Sequence, residues 1–222
     1  MIQVRKKPPL YLLDESNIFP DPSKLGDEDL VAVGGDFSSE RLINAYKSGI
    51  FPWFIEEGLI YWFSPNPRTI ILPGSLKVSK SLSKTIKKNK FKIKYDNNFE
   101  GVIKKCATVK RKEESGTWIS DEFVDGFLKL HNKGVAHSIE CYLEDRLVGG
   151  LYGLIIGNAF FGESMFSEVS DSSKVALFYL DRMAQEKNFH FIDCQVHTKH
   201  LQSLGAIEVE RSAYLNMLKK AI

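Results

Sequence analysis

The sequence predicts an α+β fold in two unequal parts: a small N-terminal domain over residues 1–74 and a larger domain over residues 75–222 with a central mixed sheet. Three observations carry this. From about residue 91 the apolar pattern runs strand, two helices, antiparallel strands, helix, strand, helix, an order that lays helices against a sheet. Pro65, Pro67 and Pro73 crowd the exit of the first part and discourage regular structure, which sets a boundary near Pro73-Gly74. The 222 residues, 43% hydrophobic and 26% charged, suffice for one large core or two unequal ones.

In the first part, Phe19-Pro20-Asp21-Pro22 and Gly34-Gly35-Asp36 are turn sequences, so both ends read as irregular around a helix. That helix starts at Ser38-Ser39-Glu40, carries Leu42, Ala45 and Tyr46 on its apolar face and ends at Gly49. Aromatics then crowd Phe51-Pro52-Trp53-Phe54 and Tyr61-Trp62-Phe63. In the second part, Val78, Leu82 and Ile86 recur every four residues and leave Lys80, Lys84, Lys87 and Lys88 toward solvent. Phe91 to Tyr95 alternates as a strand does, with Lys92 and Lys94 on its wet face. Phe99, Val102, Ile103 and Cys106 form another helical stripe.

Gly116-Thr117-Trp118-Ile119 reads as a turn into a helix capped by Ser120. Asp121 and Glu122 suit its positive end, Phe123, Phe127 and Leu130 line one face, and Gly134 stops it. Strands are expected at Ser138–Leu143, Leu147–Ile156 and Ala159–Glu163, joined through Glu144-Asp145-Arg146 and Gly157-Asn158. Gly149-Gly150 and Gly153 within the middle strand suggest a bulge or a close backbone approach, with a strongly twisted hairpin as the alternative. Val175, Phe178, Tyr179 and Met183 mark a helix and His190–Cys194 a strand. Leu201 and Leu204 belong to a short helix closed by Gly205, and Tyr214 to Ile222 form a last one.

No apolar run approaches the ~20 residues of a membrane span. Met1 to Pro9 lacks the apolar stretch and cleavage site of a secretory signal, so a cytoplasmic protein is expected. Cys106, Cys141 and Cys194 have neither zinc-site spacing nor an even count, which points to reduced thiols. The formal net charge of +2 conceals segregation. Residues 1–74 hold seven Lys/Arg against ten Asp/Glu, residues 77–112 thirteen against two, and residues 113–222 ten against sixteen. The +11 segment fits a polyanion, with nucleic acid ahead of an anionic membrane, and a solvated face as the plain alternative.

Two polar segments stand beside apolar strands: Gly162-Glu163-Ser164-Met165-Phe166 and Ile192-Asp193-Cys194-Gln195. Buried polar groups are costly unless paired, so these are either a structural network or an active site. Asp193 and Gln195 share one side of a strand, and a carboxylate there can orient an amide. Glutamine accepts protons poorly, which suits the pair to positioning and charge stabilisation. Cys194 points the other way, toward the opposite layer. His197 and His200 lack a third ligand at metal spacing, so no metal is expected. Gly149-Gly150-Leu151-Tyr152-Gly153 lacks the following helix and lysine of a phosphate loop. Trp62 and Trp118 adjoin turns and are candidates for base stacking, whereas Trp53 reads as core.

Seven motifs together resemble those of the leucyl/phenylalanyl-tRNA–protein transferases, in the family's order over roughly residues 17–215. They are Gly34-Gly35-Asp36-Phe37-Ser38, Gly49-Ile50-Phe51-Pro52-Trp53-Phe54, Trp62-Phe63-Ser64-Pro65-Asn66-Pro67-Arg68, Gly116-Thr117-Trp118-Ile119, Gly162-Glu163-Ser164-Met165-Phe166-Ser167, Ile192-Asp193-Cys194-Gln195-Val196 and Ser203-Leu204-Gly205-Ala206. The resemblance implies a larger domain of GCN5-type acyltransferase-like fold, acting as a cytoplasmic monomer without cofactor or metal. It implies transfer of leucine or phenylalanine, and weakly methionine, from tRNA to the α-amine of proteins beginning with Arg or Lys, which marks them for degradation by the N-degron pathway.

By the same resemblance, Trp62 and Trp118 wall the terminal adenosine and Glu163 lies at the reaction centre. Ser164, Met165 and Phe166 lie in the pocket region, and Phe178 lines the side-chain pocket. Gln195 and Asp193 match a catalytic amide–carboxylate pair. Either Asp193 polarises Gln195 to help deprotonate the amine, or the tRNA ribose hydroxyl shuttles the proton. An activated ester favours the second, since holding an amine about 3–3.5 Å from its carbonyl supplies much of the rate. Lys80, Lys84, Lys87, Lys88, Lys92 and Lys94 are expected on the tRNA, with the acidic remainder receiving the peptide. Thr198 stands where the family often has Asn, and can cap the following helix equally. Three alternatives share parts of the pattern: an acyl-CoA N-acetyltransferase, lacking here a Gly-rich pyrophosphate loop; a peptidoglycan-type aminoacyltransferase; and a non-catalytic RNA-binding protein, which leaves Glu163 and Asp193/Gln195 unexplained.

Overall fold

A computed structural model describes residues 10–108 and 120–222. The N-terminal part departs from expectation, because the helix is flanked by a four-stranded sheet. Strands β1 (Leu12–Leu13) and β2 (Leu30–Gly34) precede helix α1 (Ser39–Lys47), and β3 (Phe51–Glu56) and β4 (Leu59–Phe63) follow it, in the order β1-β2-β4-β3. The aromatics make the hairpin: Phe51 pairs with Phe63, Pro52 with Trp62 and Phe54 with Tyr61. Aromatic side chains fit a pleated surface, and Glu57 and Gly58 supply the two positive φ values, 51° and 76°, of a two-residue hairpin loop. Ser38 caps α1 by accepting the Arg41 N–H.

The chain then enters a seven-stranded mixed sheet. Its strands are β5 (Arg68–Ile71), β6 (Lys92–Tyr95), β7 (Ala136–Leu143), β8 (Arg146–Ile156), β9 (Ala159–Ser167), β10 (Phe191–Gln195) and β11 (Ile207–Val209), in the order β11-β5-β10-β9-β8-β7-β6. The change of sheet thus falls before Arg68, ahead of the expected boundary near Pro73-Gly74. The helices are α2 (Lys80–Lys87), α3 (Phe99–Thr108), α4 (Asp121–Asn132), α5 (Ser172–Glu186), α6 (Lys199–Ser203) and α7 (Arg211–Ala221). Ser120 and Thr198 cap α4 and α6 through Phe123 N–H and Leu201 N–H, as their positions predict.

Two apolar cores fill the faces. One joins Leu42 and Tyr46 of α1, Val102 and Ile103 of α3, Phe123 and Phe127 of α4 and Tyr214 of α7 to Trp62 and Phe161. The other packs Val175, Leu177 and Leu180 of α5 and Leu82 of α2 on Phe160, Ile192 and Leu151. Gly149 is the close approach anticipated in β8, made by a helix: a Cβ there would overlap the Ser172 side chain at the start of α5. Among the described residues no helix is long and apolar enough to cross a membrane.

Candidate active site

The site lies where β9 and β10 part. These parallel strands pair through Phe191–Ala159, Ile192–Phe160 and Asp193–Phe161, and pairing ends there although β9 runs on to Ser167 and β10 to Gln195. Each strand is irregular just past that point. On β9, Gly162 pairs with Gly153 and Ser164 with Tyr152 of β8, so Glu163 is the extra residue of a bulge. A bulge re-aims a side chain, and here it turns a carboxylate inward from a strand expected to end at that residue. Gly153 permits it, because a Cβ would overlap the Phe161 carbonyl oxygen.

Glu163 is buried. Its Oε1 accepts from the Tyr46 hydroxyl at 2.6 Å and from the Gln195 side-chain amide at 2.7 Å. Its Oε2 is buried and has no hydrogen-bond partner among the described residues. Burial pushes the carboxyl up to about 8, against the lowering by the Tyr46 hydrogen bond and with a further rise from the charge of Asp193. Glu163 therefore exchanges its proton near neutral pH. The Tyr46 hydroxyl, held well above its ordinary value by burial and then by Glu163, stays a donor.

Asp193 is fully buried and anchored on all sides. Its Oδ1 accepts from Arg68 Nε at 2.9 Å and from the backbone N–H of Gln195 at 2.8 Å. Its Oδ2 accepts from Arg68 Nη2 at 2.7 Å and the Tyr214 hydroxyl at 2.6 Å. The expected pairing is thereby corrected: Asp193 holds the Gln195 backbone, and the carboxylate bonded to the Gln195 side chain is Glu163. The two residues do not continue a regular strand, since Gln195 has φ 63° and the β10–β5 register shifts between Asp193 and Gln195. Burial alone would lower the Arg68 guanidinium, but Asp193 outweighs it and holds the group above its ordinary value.

A cavity of about 520 Å³ opens at the parting of the strands. Leu151, Phe160, Met165, Leu177, Leu180 and Ile192 give it an apolar side, and Glu163, Gln195, Ser164, Thr198 and His200 a polar one. Burial, and then Lys174, lower His200 below the ordinary imidazole value, so it is neutral at pH 7. Burial raises the Cys194 thiol, which is therefore no thiolate nucleophile. Among the described residues no three His, Cys, Asp or Glu side chains gather as a metal-binding set.

Residues 35–66 match the family model for the leucyl/phenylalanyl-tRNA protein transferase N-terminal domain, and residues 70–219 match that for the leucyl/phenylalanyl-tRNA protein transferase itself. The chain belongs to this family. Its members are aminoacyltransferases, and this chain is an enzyme of that kind. The leucyl/phenylalanyl-tRNA–protein transferase of Thermodesulfovibrio yellowstonii is 49% identical over 212 residues, spanning 96% of this chain and 86% of the relative. That of Flavobacterium johnsoniae is 44% identical over 210 residues, spanning 95% and 99%. Among solved structures, an aminoglycoside acetyltransferase from an uncultured soil metagenomic sample, in complex with sisomicin, overlays with TM-score 0.38 and 20% identity over 51% of this chain and 81% of its own.

Not every residue that the family resemblance points to reaches the cavity. Glu163, Gln195, Ser164, Met165 and Asp193 line it, with Asp193 Oδ1 accepting from the Gln195 backbone N–H. Trp62 does not: it is fully buried against Phe19 and Phe37, with its indole N–H donated to the Gly34 carbonyl at 2.8 Å. Among the described residues the tryptophan at the cavity is Trp53, which also packs partly buried against the core, as read from sequence. Phe166 turns to the opposite face of the sheet, beneath Lys105. Phe178 is half-buried against Tyr179, and one residue earlier and two later Leu177 and Leu180 face the cavity instead. Trp118 and its motif lie outside the described residues. Lys80, Lys84, Lys87, Lys88 and Lys92 are exposed, while Lys94 is half-buried, bonded to Asn97 at 3.1 Å and lying over the Tyr142 ring. Tyr46, Arg68 and Tyr214 were not singled out as site residues, although Arg68 closes one of the seven motifs.

Proposed function

We propose that this enzyme transfers leucine or phenylalanine, and weakly methionine, from aminoacyl-tRNA to the N-terminal amine of proteins beginning with Arg or Lys. The product would be marked for degradation, and the enzyme would act as a cytoplasmic monomer. The observation that carries the reading is an apolar cavity that ends on the Glu163–Gln195 pair. The side chain of the donor amino acid occupies the apolar side, where shape rejects β-branched side chains that methylene counting would discriminate only ~10–200-fold.

The acceptor amine, with an ordinary pKa of about 7.7–8.0, arrives largely as ammonium. Glu163, poised near the same value, takes one proton and leaves a neutral nucleophile. Gln195, its amide N–H₂ committed to Glu163, presents a carbonyl oxygen that accepts from the amine and orients it. The nitrogen attacks the ester carbonyl carbon and the bond to the ribose oxygen breaks. A second amine proton passes to that ribose oxygen, directly or through the neighbouring hydroxyl, and Glu163 later releases its proton to solvent. Lys80, Lys84, Lys87, Lys88, Lys92 and Lys94 would hold the tRNA backbone, and the acidic surface of residues 113–222 would receive the basic peptide.

The test is to supply labelled Leu-tRNA with peptides beginning in Arg, Lys or Ala, without added metal or nucleotide. Label on the Arg and Lys peptides alone supports the reading. Label on the Ala peptide at an equal rate, or tRNA binding without transfer, contradicts it.

A further inference from the structure

We infer that Arg68 and Tyr214 are positioning residues for aminoacyl transfer, which through Asp193 hold Gln195 in the left-handed turn that aims its amide at Glu163. The inference rests on the transfer reading above. Gln195 has φ 63°, a conformation that a residue with a Cβ adopts at a cost. The Val196 N–H closes a three-residue turn on the Cys194 carbonyl at 2.8 Å, with Gln195 at its centre. Such a turn persists where its surroundings over-determine it. The Gln195 N–H is held by Asp193, so the rigidity of Asp193 becomes the rigidity of Gln195.

Asp193 is rigid because Arg68 and Tyr214 complete its hydrogen bonding. With two N–H donors from Arg68, the Tyr214 hydroxyl and the Gln195 backbone, its two oxygens accept four bonds, the full capacity of a carboxylate. No lone pair remains to polarise the Gln195 side chain. Arg68 is fixed in turn, lying 4.8 Å from the Phe51 ring centre and 4.6 Å from that of Tyr214, with Nη1 on the Gly49 carbonyl at 3.2 Å. Both residues are buried and neither lines the cavity, so neither touches substrate. Tyr214 is itself anchored, because Arg211 on the same helix donates Nε to the Ser64 carbonyl at 2.8 Å and bonds Asp29 at 3.1 Å.

Tyr214→Phe tests this with little disturbance, since the ring stays against Arg68 and Phe191 and one hydrogen bond to Asp193 is lost. The variant should lower kcat about 10-fold, with KM for Leu-tRNA and for an Arg-initiated peptide within about two-fold of wild type. Amide hydrogen exchange should quicken in the peptide spanning Cys194 to Val196 and stay unchanged in the rest of the sheet. Arg68→Lys keeps the charge and loses the planar fork, and should lower kcat further, by about 100-fold. Wild-type kcat and local exchange in Tyr214→Phe would overturn the inference. So would a loss of kcat accompanied by equally faster exchange throughout, which marks general destabilisation. Failure of the wild type to modify Arg and Lys peptides would instead sink the transfer reading, and the exchange measurement would still report on the turn.

Discussion

The side-chain amide of Gln195 donates to Glu163 Oε1 across 2.7 Å, joining two residues 32 positions apart at the point where their strands separate. Neither strand would present its residue there if regular: β9 needs a bulge at Glu163 and β10 a left-handed turn at Gln195. Bulges and strained turns concentrate where a site requires a side chain aimed off the pleat. Replacing Gln195 by Ala should lower kcat about 100-fold or more while tRNA affinity changes less than about three-fold, read by single-turnover transfer beside equilibrium binding.

Activity should rise with pH along a limb set by Glu163. With its carboxyl pushed up to about 8 by burial, the group is protonated at pH 6 and ionised at pH 9, and transfer requires the ionised form. The kcat profile of the wild type should therefore climb through pH 7–8. Glu163→Gln should lower the rate along the profile and leave only a limb that follows the acceptor amine's own value of about 7.7–8.0, and a wild-type rate in the variant would assign the proton to another group.

The same carboxyl makes stability fall with rising pH. A folded value of about 8 lies above the ordinary 4.5, so the folded state binds the proton more tightly. That contribution is fully present below pH 4.5 and is lost as pH rises through 8, to a cost on the order of 5 kcal/mol as an upper bound. Glu163→Gln should match the wild type in thermal stability near pH 5 and exceed it near pH 9. A constant difference across that range would contradict a proton-binding Glu163.

Donor choice should respond to the apolar side of the cavity. Leu180 and Met165 line it from α5 and β9. Adding bulk through Leu180→Phe should lower kcat/KM for Phe-tRNA more than for Leu-tRNA, by about 10-fold in their ratio. An unchanged ratio would move the donor pocket elsewhere.

The lysines of α2 should act through charge. Lys84, Lys87 and Lys88 are exposed at its C-terminal end. Changing all three to Ala should weaken tRNA binding and reduce the slope of log affinity against log salt by about 2–3, as expected for three lost phosphate contacts. An unchanged slope would show that these lysines only solvate the helix.

Local signals were legible in the sequence wherever one residue decides local geometry. Ser120, Thr198 and Ser38 cap the helices that their positions announce, and the stripe Phe99, Val102, Ile103 and Cys106 is buried as its spacing requires. The N-terminal sheet was hidden because Gly and Pro turns mask short strands and Glu57-Gly58 is a weak turn signal. In α5 the large aromatics misled. The buried face of the helix carries Ala176, Leu177, Leu180 and Ala184, and Phe178 and Tyr179 stay partly outside.

Glu163, Asp193 and Gln195 were recognisable as polar residues among apolar ones, but their partners were not. Tyr46 meets Glu163 across 117 positions and Arg68 meets Asp193 across 125, and no periodicity connects residues so far apart. A bulge likewise breaks the alternation by which strand faces are read, so the turn of Glu163 into the site and that of Phe166 into the core on the opposite face both escaped the pattern.

The most direct test of the account is single-turnover transfer by Glu163→Gln, with labelled Leu-tRNA prebound and an Arg-initiated peptide in excess at pH 8. The account predicts a chemical step slower by about 100-fold or more, with tRNA affinity within about three-fold of wild type. Equal losses in binding and transfer, or transfer at the wild-type rate, would contradict it.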